Sequence, residues 1–214
     1  MKRVLVVGGT SGTGAEVVRL LAARRRESVR VLARRPDAAR SRFGASVEVV
    51  AGDLLDGASL VAAVDGVDVV VHAAGVRGLL GARRHRAVVV DGMADLLHAA
   101  RRSGQVKGII FVSSMGVTRP SALGYGLDLV KGDALANKRE AEELVRDSGL
   151  DYLVLRAAVL TDGPARPSDV VFSPEPGPVR LGTRIARADV ARFVVAALER
   201  PRLGQVTGDL RRAA

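Results

Sequence analysis

The sequence predicts an α/β fold of the Rossmann type, a doubly wound, mostly parallel sheet with helices on both faces. Short apolar, β-branched runs alternate with helix-patterned segments along all 214 residues. The connections between them are brief, as parallel strand–helix–strand units require. The first such run ends in a glycine-rich turn that opens directly into a helix pattern. One domain over 1–214 accounts for the length.

Taken in order, residues 4–7 read as a central strand stopped by glycines, and 15–23 as a helix with Val17, Val18, Leu20 and Leu21 facing inward. Strands follow at 28–33 and 47–50, a helix at 58–64 and a strand at 67–72. Residues 86–102 form a long helical pattern ended by Ser103-Gly104. A strand at 108–113, a helix at 134–147 and a strand at 152–156 come next. A proline-rich stretch at 161–178 reads as irregular, followed by a helix at 188–199 and a closing strand at 205–210. Two loops, about 115–132 and 161–186, would fall at the carboxyl edge of the sheet, where such folds bind ligands.

Composition narrows the function classes. Aromatic residues make up 3% of the chain and hydrophobic residues 48%, so the core must be aliphatic. There is no cysteine, which excludes a disulfide framework, a thiolate metal site and a cysteine nucleophile. His72, His85 and His98 have no ligand-like spacing, so no metal site is expected. No apolar run approaches membrane-spanning length, and 4–7 is too short for a secretory core, which points to a cytoplasmic protein. The net charge of +10 invites a nucleic-acid reading. Against it, the charge is scattered arginine, and aromatic residues for base stacking are nearly absent. A small molecule is the expected partner. Monomer and homodimer stay equally open.

The chemistry centres on Gly8-Gly9-Thr10-Ser11-Gly12-Thr13-Gly14. Gly8 permits the tight turn, Gly12 lets main chain approach a diphosphate, and Gly14 lets the helix pack on the strand. The helix start, with Thr10, Ser11 and Thr13 beside it, offers free N–H groups and a positive dipole end to an anion.

From here the sequence resembles the short-chain dehydrogenase/reductase superfamily, in its GxxxGxG spacing and beyond. Gly52-Asp53-Leu54 resembles the family's adenine-edge contact, through Asp53 and Leu54. His72-Ala73-Ala74-Gly75 resembles the segment covering the dinucleotide, through Ala73, Ala74 and Gly75. Phe111-Val112-Ser113-Ser114 ends a strand as in the family, and Lys138 stands on the following helix. Gly149-Leu150-Asp151-Tyr152, leading into Arg156, is similar to the atypical, NAD(P)H-binding branch with NmrA-like proteins and flavin or biliverdin reductases. For the cofactor, Ala33-Arg34-Arg35-Pro36 stands where an NAD site carries an acid. Arg34 and Arg35 suit a ribose 2′-phosphate, so NADP(H) is expected over NAD(H), which Asp37 keeps open.

The resemblance implies Ser114 as a contact to the substrate or nicotinamide and Lys138 on the nicotinamide ribose. The family's proton-donating tyrosine would sit four residues before the lysine, where this chain has Ala134. Tyr125, in the loop after Ser114, is the remaining tyrosine candidate for catalysis. Arg77, Arg83, Arg84 and Arg86 could favour an anionic substrate. The resemblance thus implies an NADPH-dependent reductase of a flavin, quinone or carbonyl acceptor. An NADP(H) sensor or scaffold without turnover, and a redox-neutral isomerase, dehydratase or cyclase, stand as alternatives.

Overall fold

The computed structural model describes residues 1–75, 85–118, 133–178 and 182–213. Its main sheet contains β1 (Arg3–Val7), β2 (Ser28–Ala33), β3 (Val47–Ala51), β4 (Val69–His72), β5 (Gly108–Ser114), β6 (Asp151–Ala157), β8 (Val170–Ser173) and β10 (Val206–Arg212). The order is β3-β2-β1-β4-β5-β6-β10-β8. Every neighbouring pair is parallel except β10 with β8. A separate parallel pair joins β7 (Val159–Thr161) to β9 (Arg184–Ala186). Six α-helices accompany the strands among the described residues: α1 (Gly12–Arg24), α2 (Pro36–Phe43), α3 (Gly57–Val64), α4 (Gly92–Ser103), α5 (Ala134–Arg146) and α6 (Arg187–Leu198).

Strand alternation divides the core in two. Val4 and Val6 of β1 face α1 and α6, packing with Val17, Val18, Leu21, Val190 and Val194. Leu5 and Val7 face the other way, toward Leu60 of α3, Leu96 of α4 and Val145 of α5. Successive side chains point to opposite faces of a strand, so a run apolar at every position is what a sheet covered on both sides demands. A charged side chain inside β2 is accommodated by a helix end. Arg30 donates to the carbonyls of Ala63 and Asp65 at 2.9 and 2.6 Å, where α3 finishes, and pairs with Glu48 at 2.8 Å.

The order of the expected strands and helices agrees with the sequence, and the structure adds α2, β8 and the β7–β9 pair. Helix α2 had no expected counterpart. It has Pro36 and Asp37 in its first turn and Arg40 and Arg42 in its last, but buries only Ala39, so it carries almost no apolar period. The stretch expected to be irregular contains β8, whose Val170 to Ser173 add antiparallel to the edge of β10. The helix expected over 86–102 begins as a π turn at Ala87–Asp91 that continues into α4.

Crowding around α1 yields a prediction. A Cβ on Gly14 would overlap the Gly8 carbonyl, whereas one on Gly57 at the start of α3 meets nothing within 4 Å. Gly14→Ala is expected to lose about 1–3 kcal/mol of unfolding free energy. Gly57→Ala is expected to be neutral or to gain up to about 1 kcal/mol. Urea denaturation of the two variants checks the contrast, and equal losses would contradict it.

Candidate functional site

The site begins where β1 turns into α1. Gly8 has a φ of +78° and Gly12 of +56°, both in the left-handed region. A Cβ on Gly8 would lie 2.5 Å from the Ala74 Cα and amide nitrogen, so the turn fits only because main chain faces main chain. Ser11 occupies the N-cap position but makes no side-chain cap bond, and the first turn of α1 carries no acid. The initial amides of a helix have no intrahelical acceptor, so their N–H groups and the dipole's positive end are left for an anion. Thr13, buried beside them, has a hydroxyl without a hydrogen-bond partner.

From that turn a cleft of about 300 Å³ runs along the carboxyl ends of β1, β2, β3 and β4. Its walls include Gly8, Thr10, Ser11, Arg34, Asp53 and Leu54, with Ala73, Ala74 and Gly75 opposite. Leu54 packs over α4 at Gly92, where a Cβ would come within 2.7 Å of its Cγ. A second hollow, about 380 Å³, shares Thr10, Ser11 and Arg34 with the first and adds Arg35 and Arg42. Arg42 donates to the Thr10 carbonyl at 2.9 Å, tying α2 to the glycine turn. No carboxylate lines this hollow. Asp37, the acid nearest in sequence, is almost wholly exposed and pairs with Arg40 at 2.9 Å. Three guanidinium groups thus gather at one end of the cleft without a counter-charge among the described residues.

Across the sheet, Lys138 of α5 donates to Ser114 Oγ at the end of β5, at 2.8 Å. A lysine donating into the serine oxygen leaves the serine's own proton available for another acceptor. His72, last residue of β4, connects this pair to the cleft. It is buried against Phe111, edge to face at 5.4 Å between ring centroids, immediately before Ala73. Burial pushes its imidazole down to about 4, and the nearby charge of Lys138 adds to the effect.

The described residues singled out from sequence fall into four groups. Gly8, Thr10, Ser11, Arg34, Asp53, Leu54, Ala73, Ala74 and Gly75 line the cleft; Arg35 lies in the basic hollow; Gly12, Thr13 and Gly14 form the turn behind them. Ser114 and Lys138 meet each other. Tyr125, Arg77, Arg83 and Arg84 lie outside the described residues, as does most of the loop at 115–132. Arg86 is engaged elsewhere, making a two-pronged ion pair with Glu140 at 2.5 and 2.7 Å. His98 is exposed on α4. Sequence reading missed Arg42, because α2 itself was missed. It also missed Glu142, a fully buried carboxylate bonded to Ser113 and Arg156.

The turn and cleft fit a dinucleotide: bare main chain at Gly8 for the diphosphate and an unpartnered Thr13 hydroxyl beside it. Comparison with known proteins points the same way. Residues 8–201 match the model of an NAD(P)H-binding family. An uncharacterized chloroplastic protein of Arabidopsis thaliana is 30% identical over 92% of this chain, which spans 65% of that protein's length. The fold is shared with the anaerobillin reductase ChuY of Escherichia coli O157:H7, at a TM-score of 0.81 and 24% identity, covering 98% of this chain and 96% of that one. It is also shared with a short-chain dehydrogenase/reductase of Veillonella parvula solved in complex with NADP. That likeness has a TM-score of 0.77 and 19% identity, over 98% of this chain and 94% of the other. No described helix is long and apolar enough to cross a membrane, and no described cluster of side chains could hold a metal ion.

His72 supplies a pH test. Its folded-state value of about 4 lies below the ordinary 6.5, so unfolding takes up a proton between those limits. The stability that depends on a neutral His72 is complete above about pH 6.5 and is lost as pH falls toward 4, by on the order of 3 kcal/mol. His72→Leu is expected to flatten this part of the stability profile in denaturant titrations from pH 7 to 4. Identical profiles for the variant and the parent would contradict the assignment.

Proposed function

Because this chain belongs to the NAD(P)H-binding family, we propose that it is an NADPH-dependent reductase of the atypical short-chain dehydrogenase/reductase branch. Its acceptor is a small conjugated molecule such as a flavin, a quinone or a carbonyl compound. The observation that carries the reading is that the basic hollow, the cleft and the Ser114–Lys138 pair all lie at the carboxyl ends of the parallel strands.

In this reading Gly8 and the first amides of α1 hold the diphosphate, and Asp53 and Leu54 border the adenine. Arg34, Arg35 and Arg42 take the 2′-phosphate, where planar guanidinium groups can donate in pairs. Ala73, Ala74 and Gly75 form the wall along which the cofactor lies. Lys138 holds the nicotinamide ribose, and Ser114 presents its proton to the acceptor's oxygen or nitrogen. NADPH supplies the hydride when bound.

Ala134 shapes the choice of acceptor. A positioned general acid contributes about 10² to 10⁴ in rate, and the tyrosine position lacks one. Conjugated acceptors tolerate that loss, since they can accept hydride first and a proton from solvent afterwards. Simple ketones cannot do so at comparable cost. The same alanine favours a second reading, an NADP(H) sensor that binds without turnover.

Binding and turnover separate these readings. Arg34→Ala, Arg35→Ala and Arg42→Ala are each expected to weaken NADPH by roughly 10- to 100-fold, the worth of a charge-assisted hydrogen bond, with little effect on NADH. Calorimetric titration measures this, and equal losses for both nucleotides would remove the 2′-phosphate assignment. Mixing NADPH with FMN, a benzoquinone and an aromatic aldehyde while following absorbance at the nicotinamide band tests the reductase. Oxidation with at least one acceptor is expected; tight binding with none oxidised would favour the sensor.

A further inference from the structure

Glu142 is buried to 0% exposure on α5, an unusual place for a carboxylate. Ser113 Oγ donates to it at 2.7 Å, and Arg156 donates through Nε at 3.1 Å and Nη2 at 2.6 Å. Arg146, one turn further along α5, donates at 3.3 Å to Oε2, the oxygen that Arg156 Nη2 also holds. Arg156 is itself buried and lies level with Asp209 of the neighbouring β10. None of these residues lines the cleft. Stability alone is a weak reason to keep such a group, because desolvating two charges offsets most of their attraction.

Geometry supplies a better reason. Ser113 directly precedes Ser114 in β5, and in the parallel register it stands opposite Arg156 of β6. Glu142 follows Lys138 by four residues, which places the two side chains one above the other on the same face of α5. A single carboxylate therefore fastens the helix that carries Lys138 to the strand that carries Ser114. It does so one helical turn from the 2.8 Å contact between them. Other bonds tie α5 to segments outside the sheet, Arg139 to the Val117 carbonyl and Glu140 to Arg86, whereas Glu142 bonds it to side chains of two adjacent strands.

We propose that Glu142 is a positioning residue whose buried bonds to Ser113 and Arg156 set α5 so that Lys138 meets Ser114 and the nicotinamide ribose. The proposal rests on the reading of Lys138 as the ribose anchor. It extends that reading to a residue that touches neither cofactor nor substrate.

The test compares two ligands. NADPH spans the whole site, while 2′,5′-ADP fills only the adenine and 2′-phosphate end. Glu142→Gln keeps the size of the side chain and leaves Arg156 facing Asp209. It is expected to weaken NADPH by about tenfold, the value of one hydrogen bond to a charged group, while 2′,5′-ADP binds as before. Ser113→Ala, which removes a tether without exposing a buried charge, is expected to shift the same ratio by a smaller factor and covers the case in which Glu142→Gln does not fold. Lys138→Met sets the reference: in its background Glu142→Gln should have no further effect on the ratio. Additive losses, or parallel losses for both ligands, would overturn the positioning role. A Lys138→Met protein that keeps the full ratio would overturn the ribose assignment itself, and that result is distinguishable because it needs no change at Glu142.

Discussion

The carboxyl end of β1, the amino end of α1 and the carboxyl end of β4 meet at Gly8, Gly14 and Ala74 with no side chain between them. A methyl group on Gly8 would run into the Ala74 backbone, and one on Gly14 into the Gly8 carbonyl. This contact draws the helix start close enough to the sheet edge for its free amides to face the cleft. Leu5 and Val7 on one face of β1 and Val4 and Val6 on the other hold that strand between two apolar layers, so the turn has a rigid base. The cleft, its basic extension and the wall formed by Ala73 to Gly75 all take their positions from it.

Charge is distributed by function as much as by solubility. Several of the 33 basic side chains are spent in exposed pairs such as Arg19–Glu16, Arg40–Asp37 and Arg86–Glu140, which contribute little to stability. Arg34, Arg35 and Arg42 are arranged differently, around a shared hollow without an acid. Their mutual repulsion makes that corner of the protein favourable for a dianionic group. At the other end of the site the opposite economy holds: Glu142 and Arg156 are paired in the interior, where their bonds constrain direction.

How much of this could be read in the sequence follows from what each segment buries. The inner strands were plain because both of their faces are covered, leaving runs dominated by Val, Leu and Ile that a charge such as Arg30 interrupts only singly. The glycine turn was plain because main-chain crowding admits no other residue. Helix α2 was hidden by its polarity, since it packs through little more than Ala39, and Arg42 was hidden with it. Strand β8 was hidden among prolines, being a four-residue edge strand that borrows its order from β10. Ser114 and Lys138 were singled out by resemblance, and the structure brings them into contact at 2.8 Å. Glu142 was not singled out, because a glutamate in a helix containing Lys138, Arg139, Glu140 and Glu143 reads as one more solvated charge until the sheet beneath it is known.

Hydrogen–deuterium exchange in the presence and absence of NADPH reads the main chain of the glycine turn itself. Slowed exchange is expected for peptides covering residues 8–14, with β8 at the far edge of the sheet unchanged. Exchange at residues 8–14 that is indifferent to saturating nucleotide would contradict the placement of the diphosphate at this turn.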